Sequence, residues 1–182
     1  MSQQVRKNPW RVYGLQLSAS SSVWLGSAGL WALWSVIAVW RFAVPWTSAL
    51  LPGLLAVALH WLSDLVHQLG HAWAARRVGH PAVALRFWGI FSTTIYPKDE
   101  PKLSAGAHIR RALGGPFFSL GMSVIGMVGL LLTPTVAPAW RWLAWFFFLD
   151  NFVLLTLQVF LPLGFNDGAT IFYWLRQVGD DR

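Results

Sequence analysis

Cysteine is absent from the 182-residue chain, which excludes disulfide frameworks, thiolate-ligated zinc and thiol catalysis. Charge is scarce as well. Only 12% of residues are Asp, Glu, Lys or Arg, about half of what a soluble domain carries and too few to clothe a compact globule in water. Acidic groups are the rarer sign, 7 against 14 basic ones, and Glu100 is the one glutamate. What the chain has in abundance is apolar: 55% hydrophobic residues, 13 Trp, 12 Phe and a mean hydropathy of +0.49. These residues are clumped into runs of membrane length, and a run of about 18 or more with few charges reads as a spanning helix. An integral membrane protein small enough to be one domain follows, with His, Asp, Glu and Ser left to carry any chemistry.

The expected fold is an all-α integral membrane protein of about four transmembrane helices, with a short β-hairpin or re-entrant segment after the second. Residues 1–22 read as a polar N-terminal arm, mobile or interfacial, residues 23–178 as a single membrane-embedded domain, and residues 179–182 as a tail. Spans are expected at about 23–44, 50–75, 113–132 and 140–161. Trp24 and Trp46 sit near the ends of the first, where indoles favour the interface. Pro45 and Pro52 bracket a turn, and Arg76, Arg77 and Gly79 stop the second span. Residues 83–96 are aromatic and β-branched but too short to span, which suits a hairpin or re-entrant segment. Gly114, Gly115 and Pro116 open the third span, and Gly121, Gly126 and Gly129 give it a small-residue face for close packing. Pro162 and Gly164 end the fourth, and a short helix resumes at 167–178.

The net charge of +7 is read first as topology. Arg6, Lys7 and Arg11 precede the first span, and Arg76, Arg77, Arg86, Lys98, Lys102, Arg110 and Arg111 follow the second. Two spans between two basic clusters put both on one face, the cytoplasmic side of a cell membrane, and four spans return the C-terminus there. No cleavable signal is evident. Cations interleaved with aromatics in 76–111 could suit single-stranded nucleic acid, but flanking spans make the anionic face of the lipid bilayer the better partner, with no nucleic acid.

His67-Gln68-Leu69-Gly70-His71 lies near the C-terminal end of the second span. Residues four apart lie one turn up the same helical face, so both imidazoles can reach one metal ion. That is the spacing of the H-E-x-x-H zinc motif, whose Glu takes a proton from water. Gln68 stands in the place of that Glu, and a carboxamide cannot accept a proton at neutral pH. Asp167 follows a Pro/Gly break. It can be a helix N-cap, yet it lies nine residues before Arg176 as His67 lies nine before Arg76, so both sit about 13 Å in from basic residues of one face. Two His and one Asp at matched depth, with water in the fourth position, would make an open tetrahedral zinc site. His60 and Asp64 share the face of His67 and His71. Asp64 could orient a ligand histidine or be a ligand, but pairing with His60 as a buried couple is the favoured reading. Glu100 reads as a solvated loop residue, and His80 and His108 as ordinary.

With these motifs in this order, the chain resembles the site-2 protease class of intramembrane zinc metalloproteases, peptidase family M50. The family's H-E-x-G-H is matched by His67, Gln68, Gly70 and His71, its P-x4-D-G by Pro162, Asp167 and Gly168, and its Gly-Gly-Pro by Gly114, Gly115 and Pro116. The resemblance runs from roughly residue 50 to 175. It implies zinc (Zn2+) as cofactor, His67, His71 and Asp167 as its ligands, and Gln68 at the position of the general base. Val159 stands where the family usually carries an Asn that positions substrate backbone. Two functions follow from it: a metallopeptidase homologue whose cleavage of transmembrane substrates is impaired by Gln68, or a non-proteolytic pseudoprotease that binds or regulates the transmembrane helices of partner proteins.

Overall fold

The computed structural model describes residues 10–134 and 136–180; Arg6, Lys7, Asp181 and Arg182, on which part of the topology and tail expectations rest, lie outside the described residues. Strands β1 (Arg11–Val12) and β2 (Leu15–Ala19) lead into helices α1 (Ser22–Phe42) and α2 (Trp46–Arg77), followed by β3 (Ala84–Trp88) and β4 (Phe91–Ile95). Then come α3 (Ala105–Leu132), α4 (Pro138–Leu149), a π-helical segment (Asp150–Thr156), a 3-10 turn (Leu157–Phe160) and α5 (Asp167–Asp180). Among the described residues four helical stretches are long and apolar enough to cross a membrane: Ser22–Arg41, Trp46–Arg77, Ala105–Leu132 and Pro138–Phe160. Their outward faces stay apolar, as Trp40, Leu131, Leu132 and Phe160 illustrate, and an apolar surface this broad suits lipid and not water.

The all-α expectation is corrected by a four-stranded sheet in the order β1-β2-β3-β4. Part of the supposed polar arm is therefore structured. Tyr13 and Gly14 both take positive φ (52° and 74°), the two-residue turn whose twist matches an antiparallel hairpin. Leu15 is buried between sheet and α2 with Ala72, Ala82 and Leu85. β2 runs parallel to β3, a pairing that needs a long crossover, supplied here by α1 and α2. The expected hairpin is β3-β4, antiparallel with Gly89 in its turn.

A second core lies between α1, α2 and α4, built on Ala38, Ala49, Ala56, Trp142 and Phe146. Both helix-interior prolines depart from expectation. Pro52 lies within α2 and Pro116 within α3. α3 starts eight residues earlier than expected, capped by Ser104, whose hydroxyl oxygen accepts the Ala107 amide at 3.3 Å. Each proline removes one helical N–H donor, and the Thr156 hydroxyl donates to the Pro116 carbonyl at 3.5 Å, tying the π-helical segment to α3.

Close helix packing also falls elsewhere than expected. A Cβ at Gly121 or Gly129 would meet open space, whereas one at Gly70 would run into the Gly114 carbonyl, and one at Gly114 into that of Gly70. Only Gly126 of the expected face is pressed, against Phe148. The Gly70–Gly114 crossing brings α2 and α3 backbone to backbone beside His67 and His71.

Candidate metal centre

α2 presents His67 and His71 one turn apart, both buried, toward the α2-α3 crossing. α5 supplies Asp167 as its first residue. The helix is capped by Asn166 and not by Asp167: Asn166 Oδ1 accepts the Ala169 amide at 3.0 Å, and its Nδ2 donates to the Leu161 and Gln158 carbonyls at 2.7 and 2.9 Å. With Asn166 as the cap, the Asp167 carboxylate is released to face the histidines. Gly168 must be glycine there, because a Cβ would collide with the carbonyls of Gln158, Val159 and Leu161.

The three side chains converge. His67 Nε2 and His71 Nε2 are 3.1 Å apart, His67 Nε2 is 3.2 Å from Asp167 Oδ2, and His71 Nε2 is 3.2 Å from Asp167 Oδ1. Two ligands of a tetrahedral ion with bonds of roughly 2.0–2.1 Å stand about 3.3 Å apart, and each imidazole nitrogen stands at that spacing from the other and from one carboxylate oxygen. The chemistry of the donor set fits as well. His71 Nδ1 lies 2.8 Å from the Arg111 carbonyl, which can only accept, and this short contact outweighs the approach of the Gly115 amide at 3.3 Å, so that nitrogen carries the proton. His67 Nδ1 is 2.9 Å from Ser119 Oγ, whose oxygen can accept likewise. Both Nε2 atoms then point lone pairs at a shared centre. Lone pairs and a carboxylate facing one another in a buried site need positive charge between them; a proton serves one edge of this triangle, a metal ion all three. Gly115 keeps the space open, since a Cβ there would strike both Nε2 atoms.

Gln68 is held by β4. Its Nε2 donates to the Ser92 carbonyl at 3.2 Å and its Oε1 accepts from the Thr94 hydroxyl at 2.7 Å. A carbonyl can only accept, which fixes the amide orientation. A carboxylate here would set an oxygen against the Ser92 oxygen, so residue 68 complements the strand as a glutamine.

The favoured His60–Asp64 pair does not form. His60 lies between Asp150 Oδ1 and the Ile90 carbonyl, 3.1 Å from each, and Asp64 is buried with Oδ2 unpartnered. The π-helical segment makes this possible: it turns Asp150 and Asn151 inward, and Asn151 donates to Ser63 at 2.8 Å. Glu100 is not a solvated loop residue. Both its oxygens lie 2.9 Å from Nη1 of the buried Arg111, whose guanidinium stacks 3.3 Å over Tyr96; burial pushes the Tyr96 phenol up. His108 stacks on Trp174 with centroids 4.0 Å apart. A cavity of about 840 Å³ joins Gln68, Asp64 and Glu100 to the three converging side chains.

Gln158, whose Nε2 donates to Asp167 Oδ2 at 2.7 Å, Ser119 and the Arg111 carbonyl escape sequence reasoning, because nothing local marks them. Asn166 had a signal, an Asn directly before a helix start.

Neither a family model nor a curated protein sequence matches the chain. Among solved structures it is similar to the site-2 protease from Methanocaldococcus jannaschii, with a TM-score of 0.60 and 16% identity, over 95% of this chain and 71% of that one. At that identity the likeness is one of fold: mostly helical, with four apolar helices and a small sheet.

Proposed function

We propose that the chain is a membrane-embedded, site-2-protease-like protein that holds one zinc ion through His67, His71 and Asp167, and whose proteolysis of transmembrane substrates is impaired by Gln68. The convergence of His67, His71 and Asp167 carries this reading: the two Nε2 atoms are 3.1 Å apart, and each lies 3.2 Å from a different oxygen of the Asp167 carboxylate. Zinc, when bound, supplies a Lewis acid that polarises a carbonyl and acidifies water. The Arg111 carbonyl and Ser119 hold the two imidazoles in the tautomer that ligates, and Gln158 and Asn166 aim the carboxylate. Gly115 leaves the centre open, and the cavity beside it has room for a peptide segment. No proton can be taken at residue 68. Its amide is spent on β4, and loss of a general base typically costs about two to four orders of magnitude in rate.

Those same two hydrogen bonds favour a second reading, a protein that binds transmembrane segments of partners without cutting them. The purified chain is expected to hold stoichiometric zinc, and Gln68→Glu to gain cleavage of a membrane-helix substrate by roughly a hundredfold or more over the unsubstituted chain. Absence of zinc refutes the metal centre. Retained zinc with no gain refutes Gln68 as the cause of impairment and leaves the binding reading.

A further inference from the structure

A cavity of about 380 Å³ lies away from the metal centre, where α2 ends and α3 begins, lined among others by Arg77, His80, Lys102, Ser104 and Arg110. Its three fixed cations differ from Arg76 and Arg111 nearby, which have partners of their own. Arg76 is engaged with Tyr13, its guanidinium 3.7 Å above the ring, and Arg111 is paired with Glu100. Arg77, Lys102 and Arg110 make no ion pair among the described residues. Their surroundings position them instead: Arg77 lies 5.1 Å over the Trp73 ring, and Arg110 Nε donates to the Gly106 carbonyl at 3.3 Å. The start of the 28-residue α3 adds the positive end of a helix dipole. Like charges gathered around one hollow repel unless an anion sits among them.

Arg77 joins the cavity to an apolar ridge through the Trp73 ring beneath it. Trp73, one turn before Arg77, stacks with Phe117, rings inclined by 15° and centroids 6.5 Å apart, and Phe117 is 66% exposed. Cations at the ends of two membrane-length helices, then an indole, then an exposed phenyl ring follow the order of a phospholipid from headgroup to acyl chain.

We propose that this cavity is a phosphate-binding site and that the phosphate it takes is the headgroup of an anionic phospholipid, its acyl chain lying along Trp73 and Phe117. The proposal rests on the membrane embedding of the chain and not on the metal centre. The full chain is placed in nanodiscs of equimolar phosphatidylglycerol and phosphatidylcholine, and the lipid retained on extraction is measured by native mass spectrometry. Phosphatidylglycerol is expected to be retained in preference. Each cation near a membrane surface contributes about fivefold to anionic-lipid affinity, so Arg77→Gln/Lys102→Gln/Arg110→Gln together should weaken retention roughly a hundredfold. Lys102→Gln alone, in a loop where folding is not at stake, should weaken it about fivefold, and Arg86→Gln on β3 should not. Zinc content stays unchanged in all of them. Equal retention of the two lipids, or a triple variant that retains phosphatidylglycerol as the unsubstituted chain does, overturns the site. Inorganic phosphate bound in detergent through the same three cations, without preference for phosphatidylglycerol, overturns the lipid assignment. A chain that does not enter nanodiscs overturns the membrane reading as well.

Discussion

Two buried histidine–carboxylate clusters lie on one face of α2, a turn or two apart, and they are wired in opposite ways. At His67, His71 and Asp167 each imidazole spends Nδ1 on a protein oxygen and turns Nε2 to a common centre. At His60 both nitrogens face oxygens, one of Asp150 and one of Ile90. The first arrangement leaves lone pairs for a metal; the second leaves none and ties three elements together. Residue type and helical spacing are alike in both. The partner of the second ring nitrogen decides which cluster can ligate.

The largest expected effect separates the clusters outright. His71→Ala, or Gly115→Ala, whose methyl would occupy the centre, should abolish stoichiometric zinc measured by mass spectrometry, while His60→Ala should leave one zinc per folded chain. Zinc loss in His60→Ala would mean the two clusters act as one. Next, Asp150→Ala strands His60 between a lost carboxylate and a carbonyl. Breaking a buried pair costs roughly 3–5 kcal/mol, which should lower the unfolding midpoint in detergent without changing zinc per folded molecule. Third, Ser119→Ala removes the partner of His67 Nδ1 and should weaken zinc binding 10- to 100-fold in a chelator competition; unchanged affinity would mean the tautomer is set otherwise. The smallest effect is expected from Asn166→Ala. Losing the α5 cap should cost about 1 kcal/mol of stability and slightly weaken zinc by loosening Asp167.

Gln68 sharpens the contrast from another side. Gln68→Glu removes the donor to the Ser92 carbonyl, so hydrogen exchange of the β4 amides should rise even as a base is gained. A strand whose exchange is unchanged would show that β4 is held by packing alone.

What could be read along the chain was what depends on neighbours in sequence. His67 and His71 share a face by helical geometry, and the four apolar runs announce themselves by length. Gly-Gly-Pro resembles a helix opening, yet α3 begins before it, where the Ser104 hydroxyl caps the Ala107 amide. The β2-β3 pairing could not be read, since its partners are separated by two long helices and its strands are short. The partner of His60 was also out of reach: Asp64 is one turn away, but Asp150 is 90 residues on, delivered by a π-helical distortion that leaves no mark in composition.

The amino-acid order alone thus determined that this protein is apolar, helical and without thiol chemistry, and that two imidazoles share one helical face. Those properties follow from hydropathy and from the 3.6-residue turn, which act within a few residues of chain. Tertiary packing decided the rest: which aspartate meets which histidine, which nitrogen stays free, and that Gln68 clasps a strand. Hydrogen-bond partners of buried groups are chosen across the fold, wherever burial leaves a donor opposite an acceptor, and only the folded chain brings those pairs together.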